Sequence, residues 1–439
     1  MKRIGICFCL GPMAIPATAC LSLRRILYLR SILRLSMVPK SMSTHSNFSQ
    51  VNQPIHISTV DAEPLHLYEK GGYCPLTLGE ILNYGRYKVL HKLGWGGYST
   101  VWAAKDQREK TYVAVKILVA SEANGEMQEV QIMQKLACQQ PRPKHMVHLL
   151  DSFKIESPNG CHKCLVFELL GLNVPDTINA QFPSGRLSGK FAKAIAKQSL
   201  AGLDVLHQNS IGHGDLHIRN LAFALPSMDN LTEEEFIERL GKPEIGSVQR
   251  RDGKVLEPGM PEYIVRQASN LDKLHNSAPT IKIIDFGQSF PSNAVPQTLH
   301  TPLSVRAPEV LFKDNFDYRV DLWSMGCMLF ELFTGQPPFD TFFITPPILI
   351  DQMCEMASDS LPKRWKTALE TMKEGSNVED TGLGVQEWLE EVYFDSSHKP
   401  DLTRDDISRL GVIIGKLLYF EPSSRASARQ ILDDPWFRE

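Results

Sequence analysis

A stretch of β-branched and aromatic residues interrupted by glycines constrains the fold of this chain more than any other feature. The stretch GRYKVLHKLGWGGYSTVWAAKDQREKTYVAVKILV occupies residues 85–119, and its apolar runs between charged turns predict three successive antiparallel strands. Gly94, Gly96 and Gly97 fall between the first two strands, where a missing Cβ lets backbone N–H groups approach a phosphate. A plain hairpin turn explains these glycines nearly as well.

A lysine in the third strand favours the phosphate interpretation. VAVK begins at Val113 and places Lys116 in an apolar run, where a lysine is seldom idle and could reach the α- and β-phosphates of a nucleotide. The next stretch, EMQEVQIMQKLA, has apolar residues at helical spacing. We choose Glu129 of this helix as the acidic partner of Lys116, with Glu126 as the alternative. The simpler interpretation is that both side chains lie on a solvated surface.

Two later motifs carry the groups that transfer needs. HGDLHIRN contains His213, Asp215 and Asn220, and the spacing suits an aspartate that accepts the proton of a substrate hydroxyl and an asparagine that holds magnesium. IKIIDFGQS then places Asp285 after a buried strand, where it could chelate Mg²⁺, with Phe286 packed behind it. Each motif could occur by chance, but their order along the chain predicts phosphoryl transfer from ATP to protein.

Three further motifs are expected to have a mechanical role. They are RAPEVLF, DLWSMGCMLFELFTGQPPF and EPSSRAS. We expect Glu309 to pair with Arg425 in the second lobe, and Asp321, at a helix start, to anchor the backbone of the catalytic loop. A buried bidentate pair of this kind is costly to break.

The chain as a whole predicts an α+β protein with two lobes. A small antiparallel-sheet lobe with one helix is expected at residues 84–171, and a larger helical lobe at 172–438. Residues 226–279 interrupt the second lobe as a polar surface insert with one short helix, started by a Thr232/Glu235 capping box and ended by Gly241. Residues 43–83 are interpreted as a linker and lead-in, so the folded part is expected to begin near Tyr84.

Residues 1–42 form a basic, apolar leader with three interpretations. It suits a mitochondrial presequence or a secretory signal, or translation begins at Met37 or Met42. No other stretch approaches the roughly 20 apolar residues of a membrane span, so the body of the chain is not expected to span a membrane.

Charge limits the kinds of molecule that the chain is expected to bind, and cysteine spacing bears on disulfides and zinc. Residues 1–60 carry seven Lys/Arg and no acid, which leaves 40 basic against 50 acidic residues in the remainder. An acidic body is a poor nucleic-acid binder but could attract a basic protein, and the run Glu387, Glu390, Glu391 and Asp395 is a candidate docking face. The nine cysteines have no disulfide-like spacing, and Cys161 and Cys164 lack a second ligand pair for zinc, so a turn into a strand is expected there.

From Arg86 to Phe437 the chain resembles the eukaryotic protein kinases, and three stretches resemble the SR-protein kinase family in particular. They are KLGWGGYSTVW, similar to that family's glycine loop, CLVFELLG, similar to its hinge, and the insert before DFG. The resemblance implies the bilobal protein-kinase fold, a divergent fungal-type member, the cofactors ATP and Mg²⁺, and serine/threonine phosphorylation of basic Arg/Ser-rich proteins such as splicing factors. It also implies a monomer in cytoplasm and nucleus, or in mitochondria if the leader is a presequence.

The resemblance also assigns the nucleotide pocket. Phe167 would be the gatekeeper, and adenine would lie against the backbone of Glu168 and Leu170. The other residues expected at the nucleotide are Leu93, Gly94, Gly96, Gly97, Ser99, Val101, Ala114, Lys116 and Glu129.

Two positions depart from the family pattern. His217 stands where the family has a lysine, which makes neutralisation of the γ-phosphate weaker and sensitive to pH. Gly214 replaces the arginine with which many kinases read activation-loop phosphorylation, so control by that route is not expected. We therefore expect Asp215, Lys116, Asn220 and His217 to be the catalytic residues, with Asn220 and Asp285 at the metal.

Two rival functions use the same residues. HGDLHIRN is also similar to the catalytic loop of aminoglycoside phosphotransferases, but those enzymes lack the APE motif at 307–309. A pseudokinase scaffold is favoured only by His217.

Overall fold

The structure is a computed structural model that describes residues 54–121, 128–269, 280–339, 345–373, 384–395 and 399–438. The chain divides into two units, and all described residues belong to the unit formed by Gln53–Glu374 and Leu383–Glu439. The leader predicted at 1–42, the alternative partner Glu126 and residues 270–279 of the insert lie outside the described residues.

The strands are numbered here in chain order. They are β1 (His56–Ile57), β2 (Ile81–Leu82), β3 (Tyr87–Gly96), β4 (Ser99–Asp106), β5 (Tyr112–Leu118), β6 (Leu149–Ser157), β7 (Gly160–Glu168), β8 (Leu170–Asn173), β9 (Ile211–Gly212), β10 (Leu221–Ala224), β11 (Ile245–Ser247), β12 (Gln249–Arg250), β13 (Tyr263–Val265), β14 (Ile281–Ile283) and β15 (Phe290–Pro291). Six of them form the sheet of the first lobe, in the order β2-β3-β4-β5-β7-β6, with every neighbouring pair antiparallel.

The α-helices are numbered in the same way. They are α1 (Gln128–Ala137), α2 (Val174–Gln181), α3 (Gly189–Gln208), α4 (Glu233–Leu240), α5 (Pro308–Leu311), α6 (Val320–Thr334), α7 (Pro346–Met356), α8 (Lys363–Lys373), α9 (Val385–Tyr393), α10 (Arg404–Gly415) and α11 (Ala428–Leu432). The predicted α+β fold, a small sheet lobe with one helix followed by a helical lobe, is confirmed.

Strand alternation in β5 separates its core face from its pocket face. Val113, Val115 and Ile117 are buried in the core of the first lobe. Because successive side chains point to opposite faces of a strand, Lys116 points away from that core. The spacing VAVK thus presents the lysine to the cleft without removing an apolar side chain from the sheet.

The second lobe is organised around α6. This helix is buried on almost all sides and contacts α3, as expected of a core helix that is apolar all round. It ends at Gly335, whose φ of 81° lies in the left-handed region that glycine adopts readily. Polar residues of α6 are therefore held inside the core, where they need internal partners.

The expectation that the folded part begins near Tyr84 is wrong. Residues 54–83, which we call the N-terminal extension, are packed from Pro54 onward: β1 pairs with β12, and β2 pairs with β3. Tyr68 and Tyr73 of the extension share a small apolar cluster with Val248 and Ile264 of the insert. The extension resembled a linker because its buried residues follow neither strand nor helix periodicity.

The insert contains the predicted helix but is more than a surface excursion. Helix α4 has the capping box, with Thr232 Oγ1 accepting from Glu235 N at 3.2 Å, and it is followed by Gly241 at φ 91°. Its Phe236 is fully buried and stacks on Tyr112 of β5 at 3.7 Å between ring centroids. The insert, although it follows the catalytic loop in sequence, packs on the sheet of the first lobe.

Two expectations about absent features apply to the described residues only. Cys161 and Cys164 lie in β7, and the described part of the chain contains no group of three His, Cys, Asp or Glu side chains suited to a metal. Within the same residues, no helix combines the length and apolarity that crossing a membrane requires.

Candidate active site

The predicted glycine-rich loop is the turn between β3 and β4. Gly96 pairs with Ser99, so Gly97 and Tyr98 form the tip of the hairpin. A Cβ added at Gly96 or Gly97 would meet no atom within 4 Å, which leaves open space beside the backbone. The loop therefore has the room and the backbone N–H groups that a phosphate chain needs.

Lys116 lies between two carboxylates. Its ammonium nitrogen is 3.3 Å from Glu129 Oε1 and 2.9 Å from Asp285 Oδ1, so the predicted partner Glu129 does lie beside it. Burial lowers the pKa of Lys116, but the two carboxylates raise it by more than burial lowers it, so the net shift is upward. For Asp285, burial raises the pKa, and the neighbouring ammonium outweighs it, so the net shift is downward. The pair of Lys116 and Asp285 is therefore held in its charged form.

The catalytic loop is held from below by Asp321 of α6. Its Oδ2 accepts a hydrogen bond from His213 N at 2.7 Å, and its Oδ1 accepts one from Gly214 N at 2.9 Å. Asp321 is 1% exposed, and bonds from N–H groups to a buried carboxylate are among the strongest in a protein. The predicted anchoring of the loop backbone is confirmed.

Gly214 occupies a position that no other residue fits without strain. Its φ is 76°, and an added Cβ would lie 2.5 Å from Gln288 O. Gln288 lies between the DFG motif and the APE motif, in the stretch that we call the activation segment. The arginine that many kinases have here would therefore require the segment to move. The departure noted in the sequence has a structural cause in the close approach of two backbones.

Asp215 presents one oxygen that has no hydrogen-bond partner. Asn220 Nδ2 donates to Asp215 O at 2.8 Å and to Oδ2 at 3.3 Å, which fixes the loop and the carboxylate. Asp215 Oδ1 is buried without a hydrogen bond, and His217 Nε2 lies 3.6 Å from it, beyond hydrogen-bond reach. An unpartnered buried acceptor is costly unless it has a function.

Asp285 and Phe286 adopt a strained but packed arrangement. Asp285 has a φ of 61°, a conformation that costs a non-glycine residue about 1–3 kcal/mol and is concentrated at functional sites. Phe286 is 1% exposed, and its ring meets that of His213 edge-on at 5.2 Å between centroids. The predicted packing of Phe286 behind Asp285 is thus confirmed.

The predicted metal ligands suit magnesium in their chemistry. Asp285 offers a carboxylate, and Asn220, whose amide nitrogen is the donor to Asp215, offers an amide oxygen. Mg²⁺ prefers oxygen ligands and is commonly held by one or two protein groups together with water and substrate phosphates. The pair fits that pattern.

A cavity of about 440 Å³ lies under the glycine-rich loop and reaches the hinge. Nearly all of the residues predicted at the nucleotide line it: Leu93, Gly94, Gly96, Ser99, Val101, Ala114, Lys116, Glu129, Phe167, Glu168 and Leu170. Gly97, Asp215, Asp285 and Lys116 line an adjoining cavity of about 750 Å³. The two cavities share residues, so the motifs predicted from sequence face one continuous cleft.

Several lining residues were not predicted. Val147, Leu172, Ala222, Ile284 and Gln267 also line the smaller cavity. Ala222 and Ile284 lie close to the HGDLHIRN and DFG motifs, so inspecting the residues that flank each motif could have found them. Gln267 belongs to the insert, and no local pattern connects it to this cleft.

Glu168 of the hinge is engaged on both its backbone and its side chain. Its N–H donates to His148 O at 3.2 Å, and its Oε1 accepts from Lys282 Nζ at 2.7 Å. The N–H of Glu168 is thus not the donor to adenine, and the predicted backbone contacts of Glu168 and Leu170 stay predictions.

The second lobe contains the predicted ion pair of Glu309 and Arg425. The guanidinium is bidentate, with N–O distances of 2.6 and 2.7 Å, and the two side chains are 1% and 0% exposed. It joins the end of the activation segment to the residues that precede α11.

Comparisons with known proteins agree with this geometry. The family model described as protein kinase domain matches residues 87–228 and 269–437, and the intervening residues belong to the insert. The chain is 30% identical to the serine/threonine-protein kinase SRPK of Physarum polycephalum, over 85% of this chain and 90% of that protein. It is 27% identical to protein kinase dsk1 of Schizosaccharomyces pombe, over 85% and 84% of the two chains.

A solved structure gives the same fold. The crystal structure of a kinase domain superimposes with a TM-score of 0.59 and 20% identity, covering 83% of this chain and 98% of the other.

Proposed function

Because this chain belongs to the protein kinase domain family, and within it to the SR-protein kinases, we propose that it phosphorylates serine and threonine in basic, Arg/Ser-rich proteins such as splicing factors. The transferase reaction follows from the family. The substrate class is our proposal, and it is supported by the acidic body of the chain and by its similarity to the kinase SRPK.

Asp215 is proposed as the general base that receives the proton of the substrate hydroxyl. The hydroxyl oxygen attacks the γ-phosphorus of ATP, the bond to the β,γ-bridging oxygen breaks and ADP leaves, while the hydroxyl proton passes to Asp215. The observation that carries this role is the unpartnered Oδ1 of Asp215 in the cleft that Lys116 and Asp285 also line. A general base needs an acceptor atom that no other donor occupies, and Oδ1 of Asp215 meets that requirement.

The remaining residues bind and neutralise. Lys116, held between Glu129 and Asp285, offers a positive charge to the α- and β-phosphates. Asp285 and Asn220 would hold Mg²⁺, which neutralises phosphate charge when bound. His217 lies beside Asp215, and its imidazole would approach the transferred phosphoryl group in place of the family's lysine.

A transfer assay with the full-length chain tests the proposal. With Mg²⁺ and ATP labelled at the γ-phosphate, we expect label in an Arg-Ser repeat peptide, less in a peptide with Asp in place of Arg, and none in an aminoglycoside. The variant Asp215→Asn should reduce transfer by about 10³-fold or more while leaving the fold intact. Equal labelling of the basic and acidic peptides would contradict the substrate class but not the kinase reaction.

The acidic run along α9 and just beyond it is a weaker candidate for docking than its sequence indicated. Glu387 accepts a hydrogen bond from Gly384 N at 3.2 Å, Glu390 lies 3.5 Å from Arg404, and Asp395 also has a partner, so three of the four acids are already engaged. Docking at the four acids stays a prediction.

Charge-matched variants test the docking face. Neutralising all four acids should raise the KM for an Arg-Ser peptide at low salt if the run binds substrate. The matched control neutralises four exposed acids elsewhere, Glu109, Glu234, Glu238 and Glu262. A KM that changes equally in both sets would show that only overall charge matters.

A further inference from the structure

The N-terminal extension touches the glycine-rich loop through one hydroxyl group. Tyr73 is 1% exposed, and its hydroxyl donates a hydrogen bond to Gly96 O at 2.6 Å. Gly96 lies in the turn that faces the cleft on one side and the extension on the other. The bond therefore fixes one carbonyl of the loop from outside the nucleotide site.

The backbone around Tyr73 is held firmly enough to position that hydroxyl. Ala120 N donates to Gly72 O at 2.9 Å, and Asn159 Nδ2 donates to Tyr73 O at 2.7 Å and to Gly259 O at 2.9 Å. A Cβ on Gly72 would lie 1.9 Å from Leu67 O, so this position admits only glycine. The buried Asn159 thus joins the extension to the insert at the tyrosine itself.

The same extension also holds the middle of β3. Glu63 forms a buried ion pair with Lys92, and the hydroxyl of Tyr68 donates to the same carboxylate. Lys92 lies over the ring of Trp102 at 4.6 Å from its centroid. Strand β3 is therefore held at its middle by a buried charge and at its glycine-rich end by Tyr73.

We propose that Tyr73 is a positioning residue for the nucleotide, acting through Gly96 without touching ATP. This inference rests on the proposed ATP-dependent function. A loop that is already ordered loses less conformational freedom when the phosphates bind, so holding it beforehand increases affinity. Val119 N, directly after β5, donates to Tyr98 O at 2.9 Å and holds the tip in the same way.

The variant Tyr73→Phe removes the hydroxyl and keeps the ring. In the full-length chain, calorimetric titration with Mg²⁺-ADP should give a roughly three- to tenfold higher Kd, because one neutral hydrogen bond is worth about that factor. The KM for ATP should rise by a similar factor with kcat little changed. Unchanged Kd and KM in this variant would overturn the inference.

Tyr87→Phe is the matched control. Tyr87 is buried at the start of the same strand, and its hydroxyl donates to Asp151 Oδ2 at 2.8 Å, away from the loop. Its loss should lower the Tm without changing the Kd for Mg²⁺-ADP. If both variants weaken binding equally, the effect comes from general destabilisation of the sheet and the inference is wrong.

Hydrogen exchange of the loop gives a readout that does not depend on turnover. Without nucleotide, amides at residues 94–99 should exchange faster in Tyr73→Phe than in the wild type or Tyr87→Phe. Equal exchange in all three would overturn the positioning role. A wild type that binds no nucleotide and transfers no phosphate would instead refute the proposed function, so the two failures are distinguishable.

Discussion

The catalytic loop and the glycine-rich loop form opposite walls of one cleft, but they are held by different forces. Backbone N–H groups of His213 and Gly214 donate to the carboxylate of Asp321, which lies on a helix buried in the core of the second lobe. The glycine-rich tip is held by neutral bonds, from Tyr73 to Gly96 O and from Val119 to Tyr98 O.

The difference teaches which wall can adjust. Moving the catalytic loop would expose a buried charge, whereas moving the glycine-rich tip breaks single neutral bonds whose net worth is about 1 kcal/mol each. The reacting hydroxyl needs a base at a fixed position, while the nucleotide must enter and leave beneath the tip. A fixed catalytic loop, which we call the floor of the cleft, and an adjustable glycine-rich loop with its strands, which we call the roof, suit these two needs.

The largest effect is expected at the buried ion pair of the second lobe, the lobe that carries the catalytic loop. Arg425→Met leaves Glu309 buried without its partner, and such a loss costs about 3–5 kcal/mol in the free energy of unfolding. Urea denaturation followed by circular dichroism measures it. A loss below about 1 kcal/mol would mean that this buried pair contributes no more to stability than a surface ion pair. The contrast between the two walls would then fail.

The next effect concerns a carboxyl on α6, the buried helix that also carries Asp321. Burial raises the pKa of Glu331 from 4.5 to about 7, against the lowering effect of His217 and Arg219. The folded state therefore binds a proton that the unfolded state has released between these two values, and stability falls as the pH rises through that window. Glu331→Gln cannot ionise, so it should be more stable than the wild type by about 2–3 kcal/mol at pH 8.

Thermal or urea unfolding of Glu331→Gln at two pH values checks this prediction. Little difference from the wild type is expected at pH 4.5, where the folded carboxyl is already protonated. An advantage of equal size at both pH values would show that ionisation is not the cause.

A smaller effect is expected at the reacting end of the floor. His217→Lys places an ammonium group beside Asp215, where the family has a lysine, and kcat should rise roughly three- to tenfold because a longer, cationic side chain can reach the transferred phosphoryl group. Steady-state transfer assays of the wild type and the variant measure it. An unchanged kcat would show that the group at position 217 does not limit transfer.

The smallest effect is expected on the roof. Lys88 of β3 lies 2.6 Å from Glu233 of α4, and both side chains are 34% exposed. Lys88→Met should change the free energy of unfolding by less than about 1 kcal/mol, since half-exposed pairs contribute little. A double-mutant cycle with Glu233→Gln isolates the pair, and a coupling as large as that of the buried Glu309 pair would contradict the comparison.

Much of the site was predictable because each motif is local. The alternation of β5 places Lys116 on the cleft face, and helical spacing brings Glu129 within reach. Asn220, which orients Asp215, lies five positions after it in the chain. Short-range periodicity determines these placements, so they can be read before the fold is known.

Residues distant in sequence were not predictable in the same way. Gln267 lines the nucleotide cavity and Tyr73 holds Gly96, but neither lies in a periodic or motif-bearing stretch. The extension was interpreted as linker and the insert as surface because each buries apolar residues against the other and against the sheet, which are distant from it in sequence.

By itself, then, the sequence determined the reaction, the order of the lobes and the residues that carry the chemistry, because these depend on spacing along strands, helices and turns. Tertiary structure alone decided that any residue but glycine is strained at position 214, and that the N-terminal extension, packed against the insert, holds the glycine-rich loop. The physical reason is that close backbone approaches and shared burial arise only between segments that folding brings together.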